Sequence, residues 1–166
     1  MKMVDLLGQY QKIKTEIDNA VQDVINSSAF INGPHVKTFR NNLAGYLGVK
    51  HVIACANGTD ALQIALMALD LKPGDEVITP DFTFIATVEV IALMGLKPVL
   101  IDVDPDYFTI DIDQVKKSIT SRTKAIVPVH LYGLCANLTE LINIAKENNI
   151  ALIEDTAQAL GADYND

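Results

Sequence analysis

Along the chain from residue 49 onward, short apolar runs alternate with longer stretches in which apolar and polar positions recur at helical spacing. The runs at His51–Cys55, Glu76–Thr79, Pro98–Asp102, Ala125–Val129 and Ile150–Glu154 predict strands, because a strand covered on both faces reads as a continuous apolar run. Between them, Asp60–Leu69, Phe84–Met94, Ile112–Ile119 and Leu138–Asn148 predict helices, with Asp111 and Asn137 as N-caps. Pro73-Gly74-Asp75 reads as a turn. Upstream, Gln11–Ile25 predicts an amphipathic helix that ends in a Ser27-Ser28 break. A second helix is expected to start at Pro34, where a missing N–H is harmless, and to end in the Gly45–Gly48 region. Strands and helices joined by short links imply right-handed crossovers and an α/β fold, with a mostly parallel sheet and helices on both faces. The expected division is a helical segment over 1–48 and an α/β domain over 49–166.

Composition narrows the range of partners. With 166 residues, 49% of them apolar, one sizeable core is expected. A net charge of −8 disfavours a nucleic-acid backbone or an anionic membrane as main partner, yet leaves room for a small anion held by local amides. Met1–Tyr10 shows no secretion signal, and the longest apolar run, Val88–Leu96, is interrupted by Glu89 and Gly95. A soluble, cytoplasmic protein is expected. Cys55 and Cys135 form no CxxC pattern and read as reduced thiols; His35, His51 and His130 are equally scattered, so no metal is assigned.

In open α/β sheets, ligands bind beyond the carboxyl ends of the strands, which directs attention to residues 56–60, 80–84, 130–137 and 155–161. In Ala56-Asn57-Gly58-Thr59-Asp60 the amides of Gly58 and Thr59, with the Thr59 hydroxyl, could grip a phosphate at a helix N-terminus. Taken alone, the simpler reading is a turn in which Thr59 caps the helix. The segment is neither of the familiar glycine-rich dinucleotide or triphosphate loops. Glu154-Asp155 stands at the end of the last predicted strand, so at least one of these carboxylates should emerge at the ligand edge, where it needs a metal, a ribose hydroxyl, a protonated ring nitrogen or a helix N-terminus as partner. Gln158 follows three residues on. Phe82 and Phe84 each offer a ring to a flat ligand, or simply pack. His130 and Tyr132 follow the fourth predicted strand, and a histidine bonded to backbone is the plain alternative to a titrating one. Together these links supply a phosphate grip, a ring stack and an acid, the combination that pyridoxal 5′-phosphate (PLP) requires.

The motifs Asn-Gly-Thr-Asp-Ala-Leu at 57–62, Thr-Pro-Asp-Phe-Thr-Phe-Ile-Ala-Thr at 79–87, Val-His-Leu-Tyr-Gly at 129–133 and Ile-Glu-Asp-Thr-Ala-Gln-Ala-Leu-Gly-Ala at 153–162 resemble the DegT/StrS family of PLP-dependent nucleotide-sugar aminotransferases. Asn32-Gly33-Pro34 followed by Val36 resembles the family's preceding segment. The resemblance implies a type I PLP-dependent transferase large domain, with Gly58 and Thr59 on the phosphate. It further implies Phe84, rather than Phe82, on the ring, Asp155 on the pyridine nitrogen and Gln158 near the phenolic oxygen. It implies an amino donor such as glutamate, a keto-sugar nucleotide as acceptor, and a homodimer, with the loop Ala29–Pro34 serving the neighbour's site or the sugar nucleotide. The family's Schiff-base lysine stands downstream of the aspartate motif, so it is expected beyond Asp166; Lys72, Lys97 and Lys124 stand in no comparable motif. A C-terminal small domain is expected to be missing, leaving residues 1–166 inactive alone and prone to self-association. A sugar dehydratase of the same family, with histidine in place of the lysine, stays open. So do a non-catalytic cofactor- or nucleotide-binding module and a Rossmann-like oxidoreductase, the last opposed by the missing glycine fingerprint.

Overall fold

The computed structural model describes residues 4–164, and the chain divides into two compact units between Ala54 and Cys55. In the first unit α1 spans Leu6–Ser27 and α2 spans Pro34–Leu47. The first helix is longer than its apolar periodicity predicts because Asp5 caps it, its carboxylate accepting the Gly8 N–H at 3.1 Å, and because Ser28 closes it in a left-handed conformation. The second begins on Pro34 and ends at Gly48, whose φ of +66° favours glycine.

The expected strand at His51–Cys55 does not form. An extended run becomes a strand only beside a ladder partner, and none of the described residues pairs with it. Ile53 is 70% exposed, and the Val52 carbonyl instead accepts the Arg40 Nε–H at 2.8 Å.

The second unit carries a parallel sheet of four strands in the order β2-β1-β3-β4, where β1 is Glu76–Pro80, β2 Lys97–Ile101, β3 Thr123–Ile126 and β4 Ala151–Leu152. Its helices are α3 (Gly58–Met67), α4 (Ala86–Leu93), α5 (Ile112–Ser118) and α6 (Leu138–Asn148). Side chains alternate between the two faces. Val77, Ala125 and Val127 pack with Leu66 of α3 and Val90 and Ile91 of α4; Ile78 and Ile126 pack with Val115 of α5 and Leu141 and Ile144 of α6. The step from β1 to β2 runs one way across the sheet, and the steps from β2 to β3 and β3 to β4 run the other way. Crossovers of one hand therefore put α4 on one face and α5 and α6 on the opposite face.

The edge strand β4 is shorter than its apolar run, for a reason that lies on its neighbour. Ile153 N–H reaches the Ile126 carbonyl at 3.0 Å, but the next ladder bond would come from residue 128, a proline without an N–H. Pairing resumes with Asp155 N–H on the Pro128 carbonyl at 2.9 Å and His130 N–H on the Asp155 carbonyl at 3.1 Å.

Candidate functional site

At the carboxyl ends of the strands lies a cavity of about 440 Å³ lined mainly by apolar groups of α3, of the turn into α4 and of residues 153–157. One wall is the start of α3. The cap there is Asn57, whose side-chain oxygen accepts the Asp60 N–H at 2.9 Å, so the expectation that Thr59 caps this helix is corrected. Asn57 begins the helix two residues earlier, in an extended conformation that suits a cap. Gly58 and Thr59 thereby become the first residues of the helix, where main-chain N–H groups have no intrahelical acceptor. Both line the cavity. Apart from its chain neighbours and the backbone of its own helix, no described atom lies within 4 Å of where a β-carbon at Gly58 would stand, so packing does not require glycine there; its absence of a side chain leaves the amides open to approach.

A second wall carries Phe84, 74% exposed and turned to the cavity, in the turn ahead of α4. Phe82 lies elsewhere, its ring 6.1 Å from that of Phe108. The floor carries Asp155, only 7% exposed. Its Oδ2 accepts the Thr87 hydroxyl at 2.9 Å and its Oδ1 the Ala157 N–H at 3.2 Å. Among the described residues no cation bonds to it.

The structure thus brings Gly58, Thr59, Phe84 and Asp155 to one cavity. Gln158 is not in its lining: the Gln158 Oε1 accepts the Tyr132 N–H at 2.7 Å, which holds Tyr132 in a left-handed turn with φ of +56°. His130 is buried behind the site. Its Nδ1 accepts the Ala136 N–H at 3.2 Å, which places the ring proton on Nε2, facing Glu154 Oε2 at 2.8 Å. Bonding of this kind agrees with the plainer of the two expectations for His130. Glu154 lines the cavity beside Asp155, so both carboxylates of the pair reach this edge, whereas Thr87 lines it without having been singled out from sequence; the one available signal was that Thr87 stands three residues after Phe84.

The fit to PLP can be tested on these groups. A phosphate needs unpaired main-chain donors at a helix N-terminus, a pyridine ring needs an apolar slot, and a protonated ring nitrogen needs a desolvated acid without a cation of its own. The lining offers each of them, and no lysine is part of it.

Comparison with known proteins agrees in both sequence and fold. The chain is 48% identical over 164 residues to the UDP-2-acetamido-2-deoxy-3-oxo-D-glucuronate aminotransferase of Pseudomonas aeruginosa, covering 99% of this chain and 46% of that protein. A solved DegT DnrJ EryC1 StrS aminotransferase from Brucella abortus superimposes with a TM-score of 0.93 at 43% identity, over 97% of this chain and 45% of its own. The structure of NtdA from Bacillus subtilis with bound cofactor PMP matches with a TM-score of 0.87 at 39% identity, over 90% of this chain and 34% of its own. The chain therefore spans less than half the length of these relatives. With residues 11–166 matched by the family's pattern, the chain belongs to the DegT/DnrJ/EryC1/StrS aminotransferase family.

Proposed function

We propose that this chain forms the cofactor-binding part of a cytoplasmic, PLP-dependent aminotransferase that passes an amino group from glutamate to a keto-sugar nucleotide. The observation that carries the reading is the meeting of the α3 amides, the Phe84 ring and the cation-free Asp155 carboxylate in one apolar cavity. When bound, PLP supplies the electron sink that makes amino-group exchange possible. The Gly58 and Thr59 amides and the Thr59 hydroxyl bind its phosphate, and Phe84 covers its ring. Asp155 accepts the proton-bearing ring nitrogen and keeps that proton in place. With its Oε1 taken by Tyr132, Gln158 has only its Nε2 donors to offer the phenolic oxygen. The covalent lysine is assigned to the part of the relatives' length that residues 1–166 do not span. Homodimer formation belongs to the same proposal and is supported by the exposed Phe30 and Ile31 in the Ala29–Pro34 loop.

The test is a titration of the purified protein with pyridoxamine phosphate, which needs no lysine to bind, followed by its ultraviolet absorbance in equilibrium dialysis. Saturable binding of one ligand per chain that Asp155→Asn strongly weakens is expected. A wild-type protein that retains no pyridoxamine phosphate would end the proposal.

A further inference from the structure

We propose that Thr87 is a positioning residue for the cofactor ring, its hydroxyl fixing the Asp155 carboxylate while its main chain fixes the turn that carries Phe84. The inference rests on the PLP reading of the cavity. Thr87 is 2% exposed, and its Oγ1 donates to Asp155 Oδ2 at 2.9 Å across 68 positions of sequence. Its N–H donates to the Phe84 carbonyl at 3.2 Å. The residue therefore touches both groups that meet the ring, one through its side chain and the other through its backbone.

The main chain of Asp155 is already pinned on both sides, to Pro128 and to His130. Rotation of its side chain is the freedom that remains. Two donors, one on each carboxylate oxygen, remove that freedom: the Ala157 N–H on Oδ1 and Thr87 on Oδ2. Since the Thr87 hydrogen is directed at Asp155, the contact with Thr83 Oγ1 at 3.4 Å has Thr83 as donor, which orients the Thr87 hydroxyl further. In Thr87→Val the shape is kept and the donor is lost. One oxygen of a buried carboxylate then has no partner, and the group turns away from the line of the ring nitrogen.

The experiment compares two probes, pyridoxamine phosphate and its 1-deaza analogue, in which a C–H replaces the ring nitrogen. Thr87→Val is expected to weaken pyridoxamine phosphate by about 10-fold, the effect of one hydrogen bond to a charged group, and to leave the analogue unchanged. Thr87→Ser, which keeps the hydroxyl, is expected to bind both probes as the wild type does. Should Thr87→Val not fold, Thr87→Ala against Thr87→Ser makes the same comparison, since those two differ only in the hydroxyl. A folded Thr87→Val protein with wild-type affinity for pyridoxamine phosphate overturns the proposal, and so does equal weakening of both probes. A wild-type protein that binds neither probe defeats the cofactor reading, a failure distinct from the other two.

Discussion

Two buried carboxylates stand at opposite ends of the same parallel sheet, and they are treated differently. At the amino end Glu76, 2% exposed, accepts the Thr120 hydroxyl, the Arg122 guanidinium with Nη2 at 2.8 Å, and Lys97 Nζ at 3.1 Å. These partners, Thr120 foremost and then Arg122 and Lys97, hold its acid down to about 2. At the carboxyl end Asp155 receives only neutral donors, from Thr87 and Ala157. A buried charge is tolerated when its counter-charge is at hand. Glu76 finds its cations within the chain and belongs to the scaffold. Asp155 does not, and it faces a cavity, which is the situation of an acid whose cation arrives with a ligand.

The contrast is broken most forcefully at Asp155. In Asp155→Asn the affinity for pyridoxamine phosphate is expected to fall on the order of 100-fold, the scale of losing one partner of a desolvated pair. The urea midpoint of the ligand-free protein holds or rises, because an uncompensated charge has gone. Glu76→Gln should do the reverse, lowering the urea midpoint while leaving ligand affinity unchanged; a loss of affinity there would erase the distinction between the two ends.

Acid sharpens the same point. Glu76 titrates lower in the folded chain than the ordinary value of 4.5, so its stabilisation is complete above that value and is lost as pH falls toward about 2. Urea midpoints measured down this range should fall more steeply for the wild type than for Glu76→Gln. Parallel curves would show that Glu76 is not the linked group.

Smaller effects lie between the ends. Replacing Phe84 by Ala should weaken pyridoxamine phosphate about 5-fold, the scale of one aromatic stacking contact, without a change in the urea midpoint. Mid-sheet, Thr79 donates its buried hydroxyl to the Val127 carbonyl at 2.9 Å. Thr79→Val should cost about 1 kcal/mol of stability, read from urea unfolding, and nothing in affinity.

Much of this architecture was legible in the sequence because it is written in local signals. Leu138–Asn148 forms the predicted helix, and Asp111 and Asn137 cap their helices as expected. Pro73 and Gly74 make the turn, with Gly74 at φ of +90°. The failures have nonlocal causes. His51–Cys55 has the composition of a strand, but composition does not report whether a partner lies alongside. At the site, the rule that ligands gather at strand ends led to residues 56–60, 80–84 and 155–161, each of which contributes to the lining, and also to 130–137, which does not. It gave no view of Thr87, whose bond to Asp155 joins residues far apart in sequence, nor of the direction of the Gln158 side chain, which depends on the fold of Tyr132.

Pro128 carries a consequence that reaches past the length of β4. A ladder zips for as long as each residue returns the bond it receives, and residue 128 receives one from Asp155 but has no hydrogen to return to Ile153. The seam therefore opens for one step just before the acid and closes again after it. An imide nitrogen on one strand thus acts as a dropped stitch for the next, a single missing bond between two carbonyls, of Ile126 and Pro128, that each still receive theirs.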